Sequence, residues 1–360
     1  MTKLFYALTV LASGLYSLQS SAQIFKLNLN LTDTTGIPAS VIQQIEAEVK
    51  KAEDKINDGL PKSNSPNRLM EGMANSSVMA GKGVGSDYAS HMNVFLIGAG
   101  VGVGADLEKD KETKSDLSGA GVQGGLLIGT NLSWMDTATI FGLDTNRINI
   151  YANYFQYSLN QKSKDNTVTG KLSTYGFHTS YDWIPRSPSK LWGWGGVKVH
   201  TGYEYNKMDI GIKSKINESI EVTDSGTTIS STITGNPFAH INVATHSIPI
   251  EISTSLRFLY AFSLYGGLGA DLNFGSAIGK GDLNSSPSNV ECTSGVCSGN
   301  TIGTVDAEAN IDGRGKVKPF TYRGFAGFQF HLPYFLVYVQ ADKELSSNLV
   351  GASVGARFSF

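Results

Sequence analysis

Val350-Gly351-Ala352-Ser353-Val354-Gly355-Ala356-Arg357-Phe358-Ser359-Phe360 ends the chain. The even positions are Val, Ala, Val, Ala, Phe and Phe, and the odd ones are Gly, Ser, Gly, Arg and Ser. A strict period of two held over eleven residues is the signature of a strand with one apolar and one polar face. The last strand of a soluble sandwich and a strand of a membrane barrel both read this way, so the rest of the sequence decides between them.

Moving back along the chain, the same period recurs. Phe335, Val337, Val339 and Ala341 form one apolar face, and Phe320, Tyr322, Ala326, Phe328 and Phe330 another. Phe262, Leu264, Gly266, Leu268, Ala270, Leu272 and Phe274 oppose Ser263, Tyr265, Gly267, Gly269, Asp271, Asn273 and Gly275. Between Val94 and Leu107, Phe95, Ile97, Ala99, Val101, Val103 and Ala105 alternate with Gly98, Gly100, Gly102 and Gly104. Counted through the whole region, this predicts about ten long strands. Their connections fall into two sets. Residues 107–118, 160–170, 213–239, 279–304 and 345–348 lie at one end and are mostly long and polar. Residues 133–146, 185–195, 257–261 and 331–333 lie at the other. Such an alternation fits an up-and-down barrel with long outside loops and shorter inside turns, and a sandwich does not predict it. Aromatic residues collect near strand ends, among them Tyr151, Trp183, Trp192, Trp194, Tyr334 and Phe358. That placement suits the headgroup level of a bilayer. The expected fold is therefore all-β: a transmembrane antiparallel barrel over residues 91–360, preceded by a helical segment.

Composition agrees. The 360 residues include 41 Gly, and only 17% are charged, with a net charge of −2. Near-neutral charge gives no electrostatic case for a nucleic-acid partner. Lys3, an apolar run over residues 4–18 and Ser20-Ser21-Ala22 read as a signal peptide spanning residues 1–22. The run is too short for a mature membrane helix, and no later stretch of 18 apolar residues exists. With no Cys near the cleavage site, a lipid anchor is not expected.

Residues 23–90 form a separate N-terminal segment. Leu27, Leu29 and Leu31 suggest a short extended piece, and Ile37, Val41, Ile45, Val49, Ala52 and Ile56 mark one helical stripe. Pro38 fits a first turn, and Gly59 and Pro61 a stop. A lone amphipathic helix is marginal in water, so the stripe needs an apolar partner. Residues 64–75 read as turn-rich, and residues 80–85 as small and flexible. Strand parity places this segment on the periplasmic side, as a candidate plug.

Catalytic signals are weak. Gly100-x-Gly102-x-x-Ala105 matches a loose dinucleotide fingerprint, but it lies within a strand and leads into charge rather than into a helix. The six histidines are scattered, and Asp306, Glu308 and Asp312 lack a readable nucleophile–base partner. These acids are expected to fill the lumen with Arg314, Lys316, Arg323, Arg357, Lys198 and Glu204. No enzyme activity, cofactor or metal site is expected. Cys292 and Cys297, with four residues between them including Gly295, are expected to form a local disulfide in an exported loop. Closing so short a loop adds little stability.

The signal peptide, strand count, loop pattern and terminal Phe360 together resemble the bacterial outer-membrane β-barrel superfamily over residues 94–360. That resemblance implies outer-membrane lipid as the surroundings. It also implies an assembly machinery that reads Phe358 and Phe360 at the terminus. Asn67-Arg68-Leu69-Met70-Glu71-Gly72-Met73-Ala74-Asn75-Ser76-Ser77 looks like part of a leptospiral surface-adhesin family, which implies an extracellular protein ligand. The placement of the N-terminal segment is also similar to the hatch of outer-membrane fatty-acid transporters, which have more strands. Two functions follow: a surface-binding or structural barrel acting through its loops, or a channel for small or hydrophobic solutes gated by residues 23–90.

Overall fold

The computed structural model describes residues 25–34, 37, 39–58, 66–89, 94–108, 116–135, 138–163, 166–187, 192–224, 226–259, 261–285, 287–295, 298–332 and 334–360. The signal peptide, Pro38, Gly59, Pro61, His91 and Cys297 lie outside these residues.

The described residues begin with β1 (Phe25–Leu31), α1 (Ala39–Asp58) and α2 (Pro66–Ala80). The strands β2 (Phe95–Glu108), β3 (Asp116–Asn131), a two-residue hairpin β4 (Thr139–Ile140) and β5 (Leu143–Asp144), and β6 (Ile148–Lys162) follow. Next come β7 (Asn166–Ile184), β8 (Trp192–Ser214), β9 (Ile216–Asp224), β10 (Thr227–Phe258) and β11 (Phe262–Ser285). The last are β12 (Ser288–Ser294), β13 (Thr301–Lys316), β14 (Phe320–Leu332), β15 (Phe335–Glu344) and β16 (Leu349–Ser359).

Ten of these strands close a ring in the order β2-β3-β6-β7-β8-β10-β11-β14-β15-β16, each antiparallel to the next. Closure joins the last strand to the first: Val354 faces Val101, and Phe358 faces Ile97. Among the described residues no sheet edge is left in the wall at membrane depth, as a lipid environment demands. The outer face is apolar, with Ile97, Ile128, Ile250, Leu268, Phe328, Val339 and Val354 all exposed. A belt of this size would be a liability in water and is satisfied by lipid. Among the described residues no helix is long and apolar enough to cross a membrane.

At the end away from Phe360 the wall rises unevenly. The β15–β16 hairpin is lowest, with strands of 10 and 11 residues, whereas β10 runs for 32. About 9–11 tilted residues cross a bilayer, so the upper half of β10 projects well beyond it. There the same sheet extends beyond the ring in the order β9-β10-β12-β13-β1. The sequence reads residues 213–239 and 279–304 as polar loops, but much of both is strand. Apolar residues there, Val222, Ile229, Val290 and Ile302, and Val305 just beyond, are thinly spaced among Ser, Thr and Asn. All five are buried, because they line the one face on which α1 lies.

That sheet is the partner the α1 stripe requires. Val41, Ile45 and Val49 pack into it with Ile37, Leu27 and Cys292. Glu53 reaches back from the helix, its carboxylate accepting a hydrogen bond from the Leu27 N–H at 3.0 Å. The sequence places residues 23–90 together at the end where Val94 starts. The structure divides them: β1 and α1 sit at the opposite rim, and α2 with residues 81–89 descends through the interior to rejoin the wall at Val94. The reason is the polar-looking sheet, whose buried face is legible only once the strands are paired.

Candidate functional site

Ten strands enclose little more than side-chain volume, and a helix with side chains is about 10–12 Å across. A helix fits inside only where the wall gives up side chains. Gly104, Gly119 and Gly121 of β2 and β3 meet that need. A Cβ on Gly119 would collide with the backbone of Gly72, one on Gly121 with Ser76 and Ser77, and one on Gly104 with the Ser76 carbonyl. On the helix side, Gly72, Ala74, Ser76 and Ser77 are correspondingly small and buried. Several are poor helix formers in isolation, so the sequence reads 64–75 as turns. Pro66 at the first turn and the fit to the wall produce a helix instead. On its other flank, Met70, Met73 and Val78 pack with Met208, Val243, Ala277 and Val317.

Polar contacts fix the helix height. Ser76 Oγ donates to the Gly119 carbonyl at 2.9 Å, and Asn206 Nδ2 donates to Ser77 Oγ at 2.6 Å. Asn67 and Asn75 accept from the backbone N–H groups of Arg314 and Lys318, at 2.8 and 2.9 Å, capping the edge of β13.

Below the helix, residues 81–89 are tied to the wall by charge. Lys82 Nζ lies 3.0 Å from Glu204, 3.1 Å from Asp271 and 2.9 Å from Ser247 Oγ. Arg357 Nη2 donates to the carbonyls of Ser86 and Gly83, and Nη1 lies 3.5 Å from Asp87. The Arg357 guanidinium stands 4.0 Å from the centre of the Tyr338 ring, in cation–π geometry. Tyr88 closes the lower end against Tyr265, Phe325 and His200. Arg323 joins the network through Asp271 at 3.1 Å, Asp342 at 2.7 Å and Glu251. It has no exposed surface. Chemically, this is a set of interlocked ion pairs that holds a segment in place. Among the described residues no cluster of metal-ligating side chains forms.

The residues singled out in the sequence separate into four groups. Arg323, Arg357, Lys198 and Glu204 face the lumen and are buried, whereas Asp312, Arg314 and Lys316 are exposed on the outward face of β13. Lumen filling by the latter three is thus corrected. They share parity with Phe320 and Tyr322, which point outward on β14. Cys292 is buried in the α1 sheet, with Cys297 outside the described residues. Phe358 and Phe360 are exposed at the lower rim, the Phe358 ring 4.9 Å from that of Phe335. Lys82, Asp87 and Tyr88 were missed. The signal available was Lys82 standing alone in a run of small residues.

A closed antiparallel ring with a lipid-facing apolar belt defines an outer-membrane β-barrel, and the cell outer membrane of a Gram-negative-type bacterium is its location. The chain belongs to the Lsa36-like family, a leptospiral surface-adhesin family whose model matches residues 22–360. Solved structures with which it aligns include the toluene transporter TbuX of Ralstonia pickettii, at 8% identity and a TM-score of 0.25, covering 81% of this chain and 99% of that one. Ail of Yersinia pestis aligns at 12% identity and a TM-score of 0.21, covering 74% and 100%. The translocator domain of NalP from Neisseria meningitidis aligns at 8% identity and a TM-score of 0.28, covering 74% and 89%. Scores this low carry no argument about function. No curated protein matches the chain significantly.

Proposed function

We propose that this protein is a surface-exposed, plugged barrel that binds extracellular protein through the platform formed by α1 and its sheet. The observation that carries this reading is the filled interior. From Met70 to Ala89 nearly every residue of the threaded segment is buried against the wall, which leaves the projecting sheet as the accessible working surface. Outer-membrane barrels keep short turns on the periplasmic side and long loops outside. On that orientation Phe360 and Val94 are periplasmic, and β1, α1, β9 and β12 face the exterior. Membership of an adhesin family supports a protein ligand, with extracellular-matrix protein as the ligand class.

The test is binding of the folded protein to a panel of immobilised matrix proteins. A second form has residues 216–234 replaced by a short Gly-Gly turn; the cut is feasible because Ile216 and Gly235 are cross-strand partners. Saturable binding by the intact protein, lost in the shortened form while the barrel stays folded, is expected. A protein that binds none of the panel and conducts solutes steadily would replace this reading with a channel.

A further inference from the structure

The upper wall has a notch. β15 and β16 end at Glu344 and Leu349, joined by the short turn 345–348, and Glu344 pairs with Arg323. Above that level, residues 310–316 of β13 pair with β11 on one edge, and no described strand pairs with their other edge. The first turns of α2 stand in this gap, where Arg68 bridges to Asp106 of β2 at 3.1 Å. What remains is a cavity of about 480 Å³, lined by Asn67, Arg68, Glu71 and residues 314–319.

Its charge is one-sided: Arg68, Arg314, Lys316 and Lys318 face Glu71 as the one acidic lining residue. Lys318 reaches Glu344 at 3.6 Å, and Arg68 is taken up by Asp106 and Glu71. Arg314 and Lys316 are exposed and make no ion pair among the described residues. The height of the cavity is informative. Phe320 and Tyr322, 69% and 59% exposed on the outward face just below, and Leu345, 65% exposed on the turn, mark the upper end of the apolar face of β14 and β15. About 9–11 tilted residues cross the bilayer, the lengths of β15 and β16, so their turn lies at headgroup level. The cavity therefore opens sideways at the depth where lipid phosphates sit. The N-terminus of α2, with Asn67 and Arg68 in its first turn, adds the positive end of a helix dipole.

We propose that this notch binds the phosphate-bearing headgroup of an outer-leaflet lipid, with Arg314 and Lys316 as the main phosphate contacts. A lipid is favoured over a soluble anion because the site is continuous with the apolar belt, which would take the acyl chains. The inference uses the same orientation as the adhesin reading but not its platform, so either can fail alone.

The experiment is native mass spectrometry of the purified barrel in detergent with diphosphorylated lipid A, dephosphorylated lipid A, or heparin as a soluble polyanion. The variant is Arg314→Ser/Lys316→Ser. Both side chains are exposed, and their removal leaves the ladder intact. Lys171→Ser/Lys207→Ser, on exposed positions of β7 and β8, makes the same change in net charge elsewhere. Wild type should retain the diphosphorylated lipid, the notch variant about tenfold less, and the control variant as much as wild type. Equal retention of the two lipids, or no loss in the notch variant, overturns the site. If heparin binds tighter than the lipid and depends on Arg314 and Lys316, the ligand is a soluble anion and the lipid assignment falls.

Discussion

Arg323 shows what one side chain does in this interior. It is fully buried and shared by Asp271, Asp342 and Glu251. Removing one partner of a buried pair costs about 3–5 kcal/mol, because the remaining charge is stranded away from water. Arg323→Ala leaves Glu251 and Asp342 without their buried cation, while Asp271 keeps Lys82 at 3.1 Å, so a loss at the upper end of that range is expected. Urea unfolding in detergent micelles, followed by the shift between folded and unfolded gel mobility, measures it. Unchanged midpoints would mean that water replaces the guanidinium. Phe360 makes the opposite case. Its side chain is over half exposed, while its backbone bonds to Phe95 and Val94 at 2.9 Å. Deleting it removes little packing. We expect surface levels in cells to fall several-fold while the folded protein keeps its unfolding midpoint. Normal surface levels, scored by antibody on intact cells, would count against an assembly role for this residue.

At the scale of elements, the wall and the helix are matched by smallness rather than by size. Gly119 and Gly72 touch backbone to backbone, closer than any Cβ allows. Gly119→Val must therefore push α2 away from β3. Overpacking of this kind costs about 1–3 kcal/mol or displaces the element. The expected outcome is a folded barrel in which a cysteine placed at Ser77, now buried, reacts with a water-soluble maleimide. No reaction in either background would show that the helix adjusts in place. The same pair explains what sequence could and could not reveal. Strand alternation was readable because lipid outside and a crowded lumen inside sort residues at every second position. Val101 against Gly102 is as clear in sequence as in space. The α1 stripe was readable for the same reason at helical period. α2 was not, because Gly72, Asn75, Ser76 and Ser77 are chosen for close approach and oppose helix propensity locally. Nor was the α1 sheet, where Val222 and Val290 meet only after β10 pairs with both β9 and β12.

For the whole molecule, the question is whether the threaded segment is a fixed wall or a gate. Its grip is spread over the full height: glycine–helix contact at the top, Lys82 with Glu204 and Asp271 in the middle, and Arg357 with Ser86 and Asp87 below. Tyr88 seals the bottom among Tyr265, Phe325 and His200. A gate that moves as a unit would have to break both charged ties together, each strongly unfavourable to break when buried. Intact protein in planar bilayers is therefore expected to show no steady conductance. Lys82→Met keeps most of the side-chain length and removes the charge, and Arg357→Met does the same at the second tie. Either alone leaves the other tie and the helix contacts in place, so brief openings at most are expected. The double variant loosens residues 81–89 while α2 stays held by its glycines. It should show frequent, small openings whose size stays below that of a barrel lacking residues 23–89. A large steady current from the intact protein would mean that the segment leaves the lumen in a membrane, and transport would then displace surface binding as the function of the barrel.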